Sequence, residues 1–166
     1  SFALSVERTR SLPSDTTLQP SAIVSLNVAG MMSIFFNFSQ AIPALKQGLY
    51  PTTISTDLHT GSMNTSMKNQ LDVMSKFMLM GMPLAEVIRA SSWTPAKVIK
   101  REELGHLSVG AEADIAILNI RKGDFGFYDK TGYKLNGKER LECEMTIKGG
   151  AIVYDLNGIA TPIYVR

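Results

Sequence analysis

The sequence predicts an α/β chain in two parts, a strand-and-helix part followed by antiparallel strands. Three observations carry that expectation. A β-rich run at residues 53–58 is followed, across a polar Gly-containing loop, by Leu71, Met74, Phe77 and Met78 at helical spacing. From Leu104 the pattern changes to short alternating runs. Gly149-Gly150 then separates two of those runs as a hairpin turn does.

Taken in order, residues 1–30 are weakly patterned, with loop chemistry at 11–17 and 19–21 and a short strand at 22–28. Residues 33–38 read as a buried strand. Residues 40–47 read as a short helix with Pro43 in its first turn and Gly48 as its stop. The strand 53–58 and the loop 61–66 lead into the strongest helix, at 71–80. Gly81 ends it, and Pro83 opens a helix whose apolar stripe is Leu84, Val87 and Ile88. Thr94 followed by Pro95 is a cap and a first helical position, which starts a third helix at 96–100. Strands follow at 113–120, 125–128, 141–147 and 151–154, with a turn at 129–132. The shift near residue 104 is the expected domain boundary.

The bulk composition excludes several functions. In 166 residues, 45% are hydrophobic and 19% charged, enough apolar material for a core. The net charge is +2, and the densest basic cluster, Lys97, Lys100 and Arg101, is followed at once by Glu102 and Glu103. Nucleic-acid binding needs a one-sided basic patch, so it is not expected. The one cysteine, Cys143, cannot form an intrachain disulfide. The longest apolar run, 77–82, is far short of a membrane span. Residues 1–5 lack the charged and apolar regions of a signal peptide, which leaves a cytoplasmic expectation, and a start at Ser1 suggests a processed product or a fragment.

Chemistry-bearing residues are few. Asp57 stands at the end of its strand, where α/β enzymes place metal ligands and proton-transfer groups. It reads either as a metal ligand and proton acceptor or as an Asp that caps the following loop. His59, one of two histidines, reads as a substrate or metal contact or as a structural hydrogen-bonder. Gly61, Ser62, Met63 and Asn64 form either a substrate-contact loop or a plain connection. His106 reads as structural, Met74, Met78, Met80 and Met82 as core filler, and Cys143 as an inert core residue. No phosphate-cradling glycine loop, nucleophile elbow or His-Glu-x-x-His is present.

Several segments stand in a telling order. Thr52-Thr53-Ile54-Ser55-Thr56-Asp57-Leu58-His59 is followed by Met74-Ser75-Lys76-Phe77 and Gly81-Met82-Pro83-Leu84. Then come Thr94-Pro95-Ala96, Leu104-Gly105-His106-Leu107-Ser108-Val109-Gly110 and Ala113-Asp114-Ile115-Ala116. The series, from about 33 to 158, resembles the C-terminal part of the amidohydrolase superfamily, in its amidohydrolase/deacetylase, dihydroorotase-like branch. The resemblance implies a (β/α)8 barrel of TIM type that holds one or two divalent metals, with zinc expected, beside a small β-sandwich. Residues 33–103 would be the end of the barrel and 104–166 the C-terminal share of the sandwich, with 1–32 unmatched. Asp57 would bind metal, take a proton from the bound water and pass it to the leaving amine. His59, Gly61, Ser62, Met63 and Asn64 would face a small amide or ester substrate. Gly105, Gly110, Ala113 and Asp114 would mark the return from barrel to sandwich.

The chain departs from that family's pattern. The His-x-His of the first strand, the bridging carboxylated Lys or Glu and the histidines of the middle strands have no counterpart. A barrel also needs about 200 residues or more. The expectation is therefore a fragment with an incomplete barrel, inactive alone, that neither binds metal tightly nor turns over. Apolar surface should be exposed around Phe35, Phe36, Met74 and Phe77, with association as an oligomer or with the missing barrel portion. The competing expectation is a non-catalytic, degenerate chain that serves as an interaction module or as one half of a split enzyme.

Overall fold

The computed structural model describes residues 37–56, 58–60 and 67–165. Four helices precede three strands among them. Helix α1, Phe38–Lys46, begins where Asn37 accepts from the Ser39 amide at 2.8 Å, so residue 38 opens a helix and does not end a strand. The rest of the strand expected at 33–38 lies outside the described residues. Pro43 falls inside the helix and not in its first turn, removing one ladder bond. Gly48 follows the end with its φ at 78°, as expected of the stop.

Helix α2, Gln70–Leu79, is capped by Asn69, which accepts from the Asp72 amide at 2.8 Å. Asp72 in its first turn and Lys76 in its last suit the helix dipole. Helix α3, Leu84–Ser91, buries Val87, and helix α4, Trp93–Val98, follows at once. Thr94 is therefore inside α4 and not its cap. Pro95 still fits, because the first-turn amides of a helix have no ladder partner to lose.

The expected strand at 53–58 is not a strand over its described residues. A strand needs a neighbouring ladder, and here helices answer Ile54 instead: its amide donates to Ala90 O of α3 at 2.8 Å, and its carbonyl accepts from Gln70 Nε2 of α2 at 3.1 Å.

The sheet is antiparallel in the order β1-β2-β3, with β1 at Ile115–Tyr128, β2 at Lys134–Lys148 and β3 at Ala151–Asp155. The two runs expected at 113–120 and 125–128 are one strand, bent by an irregularity between Lys122 and Phe125. Strand β2 starts seven residues before the expected 141, because residues 134–137 pair with 125–128 of β1, although Leu135 is the one large apolar residue among 134–140. In β3, Thr146 pairs with Tyr154 and Ile147 with Ile152, which leaves Val153 as an extra, bulged residue.

The core joins the helices to the sheet. Phe38, Val73, Met74, Phe77 and Val87 pack with Phe127 of β1 and Leu141 of β2. Met74 and Phe77 are 4% and 5% exposed, against the expectation that they would be bare, because the β1–β2 ribbon folds over α2 and covers them. Phe35 and Phe36 lie outside the described residues. Exposed apolar side chains sit elsewhere, at Ile152, Val153 and Tyr154 of β3 and at Ile163, Tyr164 and Val165.

Three polar ties fix this packing. Strand β3 stops short of the middle of β2, so that stretch of β2 has one open edge, and there Leu141 N donates to Ser75 Oγ of α2 at 2.9 Å. Ser75 in turn donates to Leu71 O at 2.5 Å. Lys76 and Asp72 form a buried ion pair at 3.0 Å, off the line of a good hydrogen bond, and Arg140 of β2 stands 3.7 Å from the other Asp72 oxygen. Asp129, in the β1–β2 turn, accepts from Phe38 N at 3.1 Å and from Thr131 N, Thr131 Oγ1 and Tyr133 N at 2.8, 2.6 and 3.0 Å.

Two predictions follow from these joints. Burial alone would push the Asp129 carboxyl up, but Thr131 and the amides of Phe38, Thr131 and Tyr133 outweigh it and hold it below the ordinary range. A depressed carboxylate stabilises above its unfolded pKa of about 3.9 and loses that contribution as pH falls through the folded value. Urea midpoints measured from pH 6 to 3 should therefore fall more steeply for the wild type than for Asp129→Asn. Gly105 has a φ of 74° and a hypothetical Cβ 2.7 Å from Ser92 O, whereas Gly48 at 78° has open space. Gly105→Ala should cost at least about 2 kcal/mol in urea unfolding and Gly48→Ala only about 1 kcal/mol, equal costs ruling out the close approach as the cause.

Candidate functional site

The chain around the expected site is positioned from both sides. Ile54 is buried, and its two main-chain groups are held by the end of α3 and the start of α2. Thr56 Oγ1 then accepts from Leu58 N at 3.2 Å. His59 follows as an exposed residue. Asp57, Gly61, Ser62, Met63 and Asn64 lie outside the described residues, so of the expected site residues His59 alone is placed. Met67 is buried where the chain re-enters toward α2.

The other chemistry-bearing residues have structural partners. Asp114 accepts from Lys148 Nζ at 2.5 Å and Gly149 N at 2.8 Å, and that ammonium holds its carboxyl below the usual range. It ties the entry of β1 to the β2–β3 turn. Asp155 accepts from Ile159 N at 3.0 Å and Ala160 N at 2.8 Å, which lowers its pKa. His106 Nδ1 accepts from Ser108 N at 3.2 Å, and the ring meets Trp93 edge-on at 5.6 Å, a packing role. Of the methionines read as core, Met74, Met80 and Met82 are buried and Met78 packs against the core. Cys143 is half-buried and not a core residue, because a register shift beside it skips Glu144 and breaks the alternation of β2.

Among the described residues no three His, Cys, Asp or Glu side chains come together as a group that could hold a metal ion. The buried carboxylate of Asp129 faces only N–H and O–H donors, which is the chemistry of an anion cage. Asp72 faces an ammonium and a guanidinium. The described donors therefore do not fit a metal centre by themselves.

Sequence reading missed Gln70. Its partner is a main-chain carbonyl 16 residues away, and no side-chain pattern records such a contact.

Comparison with known proteins places the chain. The model of the amidohydrolase family matches residues 36–153, and the chain belongs to that family. A deacetylase of Agrobacterium fabrum is 36% identical over 118 residues, covering 71% of this chain and 29% of that protein. A deacetylase of Brucella anthropi is 40% identical over 97 residues, 58% of this chain and 24% of that protein. Among solved structures, a dihydroorotase superposes with a TM-score of 0.67 at 31% identity, covering 72% of this chain and 33% of that one. The chain thus spans about a quarter to a third of the relatives it matches.

If Gln70 fixes the approach to residue 57, Gln70→Ala should speed amide exchange of Ile54 by about tenfold, the equivalent of one net hydrogen bond. Exchange by NMR that is unchanged at Ile54 would show that Ala90 alone holds the segment.

Proposed function

We propose that this chain is the C-terminal portion of a metal-dependent amidohydrolase that acts on the amide, cyclic amide or ester bond of a small molecule, with non-peptide C–N bonds favoured. The observation that carries this reading is the family match across 36–153, which runs through the Ile54-Ser55-Thr56-Asp57-Leu58-His59 segment. The relatives named deacetylase and dihydroorotase support C–N bond hydrolysis as the reaction class.

On this reading residues 33–103 are the last strand-and-helix part of a (β/α)8 barrel, and 104–166 belong to a small β-sandwich. Asp57 is the carboxylate that would bind a divalent metal, with zinc favoured, and accept the proton of the attacking water. His59, Gly61, Ser62, Met63 and Asn64 contact the substrate. A metal of this kind would supply an activated water at neutral pH. What the chain itself contributes is position: the clamp on Ile54 sets the main chain three residues before Asp57, and pre-set geometry is a large part of catalysis. The family's His-x-His and further histidines have no counterpart in this sequence, so on this reading the chain alone neither binds zinc tightly nor turns over. We place the parent enzyme in the cytoplasm; no helix among the described residues is long and apolar enough to cross a membrane.

A second reading is a non-catalytic chain that works by association, with itself or with a polypeptide that carries the rest of a barrel. The exposed Ile152, Val153 and Tyr154 of β3 favour it.

A hybrid separates the two. Residues 36–153 would replace the matching segment of the Agrobacterium fabrum deacetylase. The hybrid should turn over that enzyme's substrate, and Asp57→Asn should lower kcat by about 10²–10⁴-fold with a smaller change in KM. A folded hybrid with no activity, or one indifferent to Asp57→Asn, overturns the catalytic reading. Tight stoichiometric zinc binding by the lone chain in calorimetry, lost in Asp57→Asn, would overturn its dependence on outside ligands.

A further inference from the structure

The main chain that leads to Asp57 is held by a side chain with no part in metal or substrate binding. Gln70 Nε2 donates to Ile54 O at 3.1 Å, from 16 positions along the sequence. Ile54 N donates to Ala90 O at 2.8 Å. The two contacts lie on different peptide units. The amide of Ile54 belongs to the unit that enters the residue, and its carbonyl to the unit that leaves toward Ser55. Each unit is planar, and the only soft rotations between them are φ and ψ of Ile54. Ala90 therefore sets how the chain arrives, and Gln70 sets the direction in which it departs. Asp57 stands three residues on, and three residues span at most about 11 Å, so a change in the departing unit is felt there.

Gln70 is itself well mounted. Asn69 caps α2 by accepting from Asp72 N at 2.8 Å, and Ser75 of the same helix accepts from Leu141 N of β2 at 2.9 Å. The donor that holds Ile54 thus stands at the start of a helix tied to the sheet. Gln70 is half-buried, and it reaches Ile54 with its side chain and not with its main chain. The contact can therefore be removed without taking a hydrogen bond from the helix ladder.

We propose that Gln70 is a positioning residue of the hydrolytic site: it orients the peptide unit after Ile54, and through it the Asp57 carboxylate. The proposal rests on the reading of Asp57 as the group that binds metal and accepts the proton. Gln70 acts through the chain and not on the substrate, so its loss should lower kcat more than it changes KM.

Gln70→Glu tests this, because an ionised carboxyl of the same length cannot donate, whereas a protonated one can. In the full chain at pH 7, Gln70→Glu should shift the NMR resonances of Ser55, Thr56 and Leu58 and leave those of Val73 and Leu141 in place. Lowering the pH until the introduced carboxyl is protonated should bring them back to the wild-type positions at that pH. Shifts confined to Ile54, or shifts that acid does not reverse, overturn the proposal. In the hybrid with the Agrobacterium fabrum deacetylase, Gln70→Glu should lower kcat by about tenfold to a hundredfold with KM little changed. An unchanged kcat for Gln70→Glu in a hybrid that Asp57→Asn inactivates overturns the positioning role alone. A folded hybrid indifferent to both substitutions overturns the reading of Asp57, and the proposal with it.

Discussion

The buried carboxylate of Asp129 sits where the first described helix and the sheet meet, and the placement of everything between them depends on it. Helix α1 begins with amides that have no ladder partners, and a carboxylate there satisfies one of them and meets the positive end of the helix. The same carboxylate closes the β1–β2 turn through Thr131 and Tyr133. Residues 91 positions apart are thereby fixed at one point. Once the turn is pinned to α1, Phe127 enters the core beside Met74 and Phe77, and β2 is brought alongside α2. A polar contact sets the register of an apolar interface that has no directionality of its own.

The seam farther along β2 works on the same logic with other groups. A strand edge left open by the shortness of β3 would expose its amides, and Ser75 takes up one of them from the side of a helix. The neighbouring ions are buried by the same approach. Their net stabilisation is small, since removing two charges from water offsets most of what their attraction returns.

Much of this was legible in the sequence, and the failures have physical reasons. Helix α2 was placed within a residue at each end, because apolar residues at helical spacing and Gly81 speak for themselves. The β2–β3 hairpin was legible in Gly149-Gly150. The described residues of the 53–58 run are not a strand, because β-branched residues advertise one while the ladder that would make it is a property of neighbours. Thr94-Pro95 resembled a helix start, but α4 follows α3 so closely that the cap position falls on Ser92. Met74 and Phe77 were expected to lie bare because the sheet's fold-back over α2 comes from Asp129 and Ser75, whose partners are distant amides. At the candidate site, Asp57 and His59 stand out by residue type, whereas Gln70, with its side-chain amide, and Ala90, with its carbonyl, act on the main chain of Ile54.

The extra residue at Val153 carries a consequence for how molecules of this chain meet one another. β3 is an edge strand, short, with exposed Ile152, Val153 and Tyr154, and an exposed apolar edge is where identical strands can add to a sheet. Inserting one residue twists the strand and throws its outward amides and carbonyls out of a regular repeat. A second copy arriving at this edge meets a broken template, so the bulge makes β3 a poorer partner for edge-to-edge pairing while its side chains stay exposed.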